Sequence, residues 1–520
     1  MQFVKNEVMN RFGTTVALAS TCVLFGLGGA TGLHAAEVIA VCPKPFRAAF
    51  QTWVDHRSAQ QLGVEIIDTV SDAKALSESI RDAASDATRY VILIGDSPVI
   101  GTQTNLNREV PTVYLPTSVT AKWGSTPTFA SDLPYGDFDS DGEPDAVVGR
   151  LPVQRANDLT NLIKRIIAYE HSDDFGPWRG QVQLVGGIGG FGMMADAAIE
   201  SVTRTVVTSV LPAETKTNVA YASPGHLFYP PGESFTNAVL QQYARGSRFW
   251  VYAGHGQVTA LDRVPQTRDG VPVLDKTSVL RLDRQAKSAP IALMLACYTG
   301  AIDASNDSLG ERMLLTQGGP IAVFAGSRMT MPYGNTTAAV GLIKGVYEEK
   351  LPRLGDAWFS TLRQMRADDP TDKATSRIMI DAVATMVSPA GTKLIDERHE
   401  HMGLYNLLGD PLLLMHHPGE ATIEVASGID HGETVEMKVT SSVDGLLTLT
   451  LDRPLGAVTA GDPNATTVAS ISSPIKIGQT ATHRIVLPIS TTGPLIVRAI
   501  VSGTGCWATG VAKTNVRQER

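Results

Sequence analysis

The stretch Ile291–Gly300, IALMLACYTG, decides how the rest of the chain is read. Its apolar residues run unbroken from Ile291 to Ala296 and lead straight into Cys297. A short run with no polar residue to mark a solvent face predicts a strand buried on both sides, as in a parallel sheet. Tyr298, Thr299 and Gly300 then read as the turn that ends it. Cys297 therefore stands at a strand's carboxyl end, where open α/β sheets place their ligands.

A second stretch has the same design. Phe249–Ala253, FWVYA, reads as a buried strand and runs into Gly254, His255 and Gly256. Taken singly, each residue has a plainer reading. A free cysteine is often only a small buried hydrophobe, and a histidine between glycines is an ordinary turn residue. Together, on two equivalent strand ends, a thiol and an imidazole can form a thiolate–imidazolium pair, and that pairing points to nucleophilic catalysis.

Composition bounds the rest. The chain has 520 residues, 43% hydrophobic and 18% charged, which suits folded domains and argues against bulk disorder. A net charge of −8 without a basic run gives nucleic acid no footing. Lys5 and Arg11 precede an apolar, small-residue run from Thr14 to Ala30, and Ala35 and Ala36 follow as a cleavage site. Residues 1–36 thus read as a secretory signal, and the mature protein is expected outside the cytoplasm: secreted, periplasmic or at the cell surface. No later segment is long and apolar enough to span a membrane. The mature chain enters its first strand at once, so no separate inhibitory propeptide is expected. It keeps Cys42, Cys297 and Cys506; the economical assignment pairs Cys42 with Cys506 and leaves Cys297 free.

Residues 37–180 alternate strand and helix patterns, as do residues 181–418, and this alternation implies parallel sheets. Leu159, Leu162, Ile163, Ile166 and Ile167 make the clearest helical face. Helices are also expected over 195–210, 235–244, 308–316 and 356–366. After Pro418 helical periodicity stops, and short alternating strands over 419–520 predict a small β-sandwich.

Four stretches now carry a resemblance: Tyr252–Gly256 (YAGHG), Leu295–Gly300 (LACYTG), Asp137–Arg150 (DFDSDGEPDAVVGR) and Tyr405–Pro411 (YNLLGDP). In this order and spacing they resemble the gingipain-type cysteine peptidases, which have a caspase-like fold. The resemblance implies an α/β catalytic region of two parallel-sheet subdomains, followed by an immunoglobulin-like β-sandwich. It implies a cysteine endopeptidase acting on protein or peptide substrates, with a strong preference for one, often charged, residue before the scissile bond. Cys297 would be the nucleophile, His255 the proton carrier, and the N–H groups of Gly256 and Cys297 the oxyanion hole. A third, acidic group would orient His255. The glycine-rich lead-in Gly186–Gly190 holds no acid, and Asp196 is the candidate. The rival reading is a non-catalytic caspase-like surface or assembly protein; a thiol transferase or acyl hydrolase would use the same pair.

Asp137, Asp139, Asp141 and Asp145 alternate through a tight loop, with Gly142 at the bend. Converging carboxylates of this kind suit a hard cation, and calcium is the expected structural ion, with Glu143 adding a backbone carbonyl. The full EF-hand pattern is not met, because Val148 stands where its last acid would be. Glu311, three after Ser308, reads as part of a helix capping box. His399, His401, His416 and His417 lack a cysteine cluster and are expected at the surface, not on zinc. The Gly186–Gly192 run has no Lys-Ser/Thr partner for a nucleotide phosphate, and no organic cofactor is expected.

Overall fold

The computed structural model describes residues 36–190, 200, 210–230, 232, 234–367, 375–387, 391–458 and 461–517. The helix expected over 195–210 falls almost wholly outside them. Ten strands form the main sheet: β1 Val38–Val41, β2 Val64–Ile67, β3 Tyr90–Ile94, β4 Val147–Leu151, β5 Gln181–Gly186, β6 Lys216–Tyr221, β7 Phe249–Ala253, β8 Ile291–Leu295, β9 Ala322–Gly326 and β10 Tyr405–Leu408. Their order is β2-β1-β3-β4-β10-β9-β8-β7-β5-β6.

Alternation of side chains fixes what covers the sheet. Val38, Ala40, Ile92 and Ile94 bury one face, in the same core as Phe50 and Trp53 of α1 (Arg47–Ala59) and Leu159 and Ile163 of α3 (Ala156–Glu170). Ile39, Val41, Val91 and Leu93 bury the other, against Leu76 and Ile80 of α2 (Ala73–Ala83). Both faces are apolar, so these strands carry no polar alternation in the sequence. The second half is covered in part by α4 Phe235–Arg245, α5 Leu309–Leu315, α6 Pro332–Tyr347 and α7 Leu354–Arg366. Ser308 and Glu311 make the expected capping box at the start of α5.

The two parallel halves are joined into a single sheet, and β10 is the seam. It runs antiparallel to β9, with Leu408 opposite Val323, and meets β4 in parallel where Leu408 faces Arg150. Gly149 is needed here: a Cβ on it would lie 2.6 Å from Pro411 Cδ and 2.7 Å from Gly409 O. Asp410, just past the seam, accepts from Arg57 at 2.6 Å and from Trp53 Nε1 at 2.5 Å, which ties the YNLLGDP segment to α1. Arg57 also bonds Glu170 of α3 at 2.8 Å. Burial opposes ionisation of Glu170, yet the bonds from His56 and Arg57 hold its carboxyl down at about 2.

Past Pro418, β11 Gly419–Val425, β12 Thr434–Ser441, β13 Gly445–Asp452, β14 Thr467–Ile475, β15 Thr480–Val486, β16 Gly493–Ser502 and β17 Trp507–Val516 follow in the order β14-β13-β16-β17-β11-β12-β15. Val435, Met437 and Val439, with Leu447, Leu449, Leu451 and Val497, point inward at every second residue and form the sandwich core. The sandwich packs on the β6 edge of the main sheet. Asn464 bonds both the N–H and the carbonyl of Val219 there, at 2.8 and 2.9 Å. Buried Asp452 takes Lys216 at 3.2 Å and Arg498 at 2.9 Å. The C-terminal domain thus covers part of this strand edge, at Val219.

Two expectations are corrected. Cys42 and Cys506 are both free thiols: Cys42 is buried in the main-sheet core, while Cys506 is exposed before β17 of the sandwich. The four histidines are not surface residues. His401 is fully buried, and His399, His416 and His417 are half-buried with a ring nitrogen on a backbone carbonyl. They pin the ends of α7, α9 (Leu394–Leu404) and the segment after β10, while α8 (Thr375–Val387) lies between α7 and α9 in the chain. Among the described residues no helix is long and apolar enough to cross a membrane.

Candidate active site

Strands β7 and β8 are paired in parallel, with Ile291 opposite Phe249 and Leu295 opposite Ala253. Cys297 and His255 each stand two residues beyond that last pair. The register alone therefore brings them to equivalent positions on adjacent strand ends, at the carboxyl edge of the sheet.

The chain turns sharply after the cysteine. Tyr298 has φ of 60°, a left-handed conformation that a bulky residue adopts at a cost of order 1 kcal/mol or more. The turn is held from β9: Tyr298 N–H donates to Arg328 O at 3.0 Å and Gly300 N–H to Gly326 O at 2.9 Å. Arg328 is itself fixed by Asp303, at 2.8 and 2.5 Å. Asp303 is thus the buried half of a bidentate ion pair behind the nucleophile's turn. The half-buried Cys297 Sγ receives the Thr330 N–H at 3.3 Å. Among the described residues the Cys297 N–H has no protein acceptor.

Gly256 lies directly against this turn. A Cβ on it would fall 2.6 Å from Cys297 O, 2.8 Å from Thr299 Cγ2 and 2.9 Å from Ala296 Cβ. Only glycine allows the histidine and cysteine strand ends to approach this closely.

His255 Nε2 lies 3.1 Å from Gly189 O. The glycine-rich lead-in, which holds no acid, thus supplies a carbonyl to the ring. Gly189 and Gly190 both have positive φ, 75° and 98°, and this bends the loop over His255. Asp196 lies outside the described residues.

One acid at this edge escaped the sequence reading. Asp262, 8% exposed, has its Oδ2 at 3.2 Å from His255 N, 3.1 Å from Ile188 N and 3.1 Å from Tyr252 Oη. Tyr252 Oη also donates to His255 O at 2.8 Å. Burial, with Asp262 beside it, pushes the Tyr252 phenol well above its usual range, so it stays a donor. Two glycines make room for the carboxylate: a Cβ on Gly187 would stand 2.1 Å from Asp262 Oδ2, and one on Gly254 2.9 Å. Asp262 follows His255 by a short hairpin, Gly256–Gln257 with Ala260–Leu261, which carries no sequence signal strong enough to have marked it.

Of the acidic loop, Asp137, Asp139 and Asp145 converge, with one carboxylate oxygen from each lying within 4.8 Å of the others. Asp141 and Glu143 stand outside that trio. Asp141 Oδ1 caps the Glu143 N–H at 2.7 Å, and the Glu143 carboxylate reaches Arg366 at 3.7 Å. Asp137 Oδ1 is buried without a hydrogen-bond partner. Burial raises the Asp137 carboxyl above its usual range, and the neighbouring Asp141 and Asp139 charges add to this.

Known proteins bear on this geometry at two levels. No protein with a curated description matches the chain. Solved structures share the fold at low identity. The Arg-specific cysteine proteinase gingipain R matches at 17% identity over 93% of this chain and 98% of its own, with a TM-score of 0.52. The complex of the pro- and mature domains of this enzyme from Porphyromonas gingivalis gives 17%, 93%, 100% and 0.51. A structure described only as a protease gives 13%, 93%, 97% and 0.54. The sequence profile of peptidase family C25 matches residues 32–416, the whole main-sheet region that carries Cys297 and His255. The chain belongs to peptidase family C25 and is a cysteine-type peptidase.

Proposed function

We propose that the protein is an exported cysteine endopeptidase in which Cys297 and His255 work as a pair. The observation that carries this reading is their shared register: each stands two residues past the end of a paired strand, with Gly256 packed on the Cys297 carbonyl.

The chemistry follows from the contacts. With Nε2–H donating to Gly189 O, a neutral His255 keeps its lone pair on Nδ1, the nitrogen that takes the thiol proton. The Thr330 N–H stabilises the thiolate left behind. The sulfur attacks the substrate carbonyl carbon, and the oxyanion that forms is received by the N–H groups of Cys297 and Gly256. Imidazolium Nδ1–H then protonates the amine, the C–N bond breaks, and a thioester to Cys297 remains. Water, losing a proton to His255, hydrolyses it. Export rests on the Lys5/Arg11-led signal at residues 1–36.

The acidic loop is assigned a structural calcium ion. The fit rests on three converging carboxylates and on the unpartnered Asp137 Oδ1, groups that a hard cation would satisfy together.

Cleavage of a peptide library by the full chain tests the assignment. Cys297→Ala and His255→Ala should each lower kcat/KM by at least ~10²-fold. Retained cleavage in either variant would remove that residue from the mechanism, and an inactive wild type would favour a scaffold.

A further inference from the structure

We propose that Asp262 is a positioning acid for this site, a role that rests on the Cys297–His255 reading. The argument is geometric. A single carboxylate oxygen accepts from the backbone of the proton carrier, His255 N at 3.2 Å, and from the backbone of the loop that orients it, Ile188 N at 3.1 Å. Gly189, the next residue, places its carbonyl on His255 Nε2. Asp262 thus braces the backbone on both sides of the contact between the His255 ring and Gly189 O. Tyr252 Oη, at 3.1 Å from the same oxygen and 2.8 Å from His255 O, locks the strand end from beneath. Asp262 is held in turn by its own backbone: its carbonyl accepts the Val273 N–H at 2.7 Å.

Steric design points the same way. Gly187 and Gly254 flank the carboxylate so closely that any side chain on either would collide with it. These two positions are kept bare for an acid that reaches in from the hairpin after His255. Asp262 bonds to the histidine's main chain rather than to its ring. It therefore acts through the carbonyl and the backbone, and not by proton transfer.

The test compares Asp262→Asn and Asp262→Ala with wild type, using kcat per titratable active-site thiol, KM, and the rate of Cys297 alkylation. A positioning role predicts full titratable thiol, KM within threefold, and kcat and alkylation rate both reduced, by ~10²-fold in Ala and less in Asn. A residue that only stabilised the fold would lower the titratable fraction and leave kcat per site unchanged, and that result would overturn the proposal. If Asp262→Ala does not fold, Asp262→Asn decides by the same criteria, because it keeps shape and one acceptor while removing the charge. A fully active Asp262→Asn beside an inactive His255→Ala overturns the positioning role and leaves the pair standing. An active His255→Ala overturns both.

Discussion

Gly256→Ala is the sharpest probe of how tightly the two strand ends meet. The new methyl would sit 2.6 Å from Cys297 O, roughly 0.8 Å inside the 3.4 Å of ordinary contact. The neighbours at 2.8 and 2.9 Å are a Thr Cγ2 and an Ala Cβ, so no flexible side-chain end can swing away. The His255 and Cys297 turns must part by most of that distance. A misplacement near 1 Å between reacting groups costs ~10²-fold in rate, or about 2.7 kcal/mol of transition-state stabilisation. The site lies at the sheet's edge, so the fold should survive. The assay is kcat/KM on a peptide chosen from the library, normalised to titratable thiol and paired with thermal unfolding. A variant within threefold of wild type would refute the close packing of the oxyanion-side glycine on the nucleophile's turn.

Further consequences can be checked independently. His401 is fully buried with Nε2 accepting the Met331 N–H, and burial lowers it from 6.5 to about 4. Between those values the unfolded chain binds a proton that the folded one refuses, so stability falls as pH drops from 6.5 towards 4, by about 3 kcal/mol for this group. Urea unfolding across that range should show the loss, and His401→Gln should flatten it; an unchanged slope contradicts the assignment. Burial pushes the Cys42 thiol up to about 12, so native alkylation should modify Cys506 and spare Cys42 until the chain unfolds. Modification of both at equal rates, or a Cys42–Cys506 bridge in a mass map, would contradict the structure. Calcium should raise the melting temperature of wild type, and Asp137→Asn should abolish the rise; identical melting in calcium and chelator would remove the ion.

The sequence made the pair of strand ends legible because buried parallel strands write themselves as unbroken apolar runs, and Cys297 and His255 follow such runs directly. The seam at Tyr405–Leu408 was readable only as a motif, since nothing in YNLL says which two strands it joins. Helix Pro332–Tyr347 escaped because it is buried nearly all round, Gly341 against Thr361 and Gly345 against Ala357, and so shows no polar face. Helix Leu394–Leu404 hid for the opposite reason: Glu397, Arg398, Glu400 and His401 are buried by bonding to neighbouring helices and loops, and the amphipathic pattern is erased. The carbonyl that meets the His255 ring, Gly189 O, was out of reach, since a backbone carbonyl leaves no residue-type signal. Asp262 was missed because its meaning lies in the bare space above Gly187 and Gly254.

The measurement closest to the central claim is labelling of the native protein with a thiol-reactive peptidyl probe, mapped by mass spectrometry. The account predicts rapid modification at Cys297, with a rate that collapses in His255→Ala while Cys506 reacts as before. Equal labelling of Cys297 with and without the imidazole would contradict it.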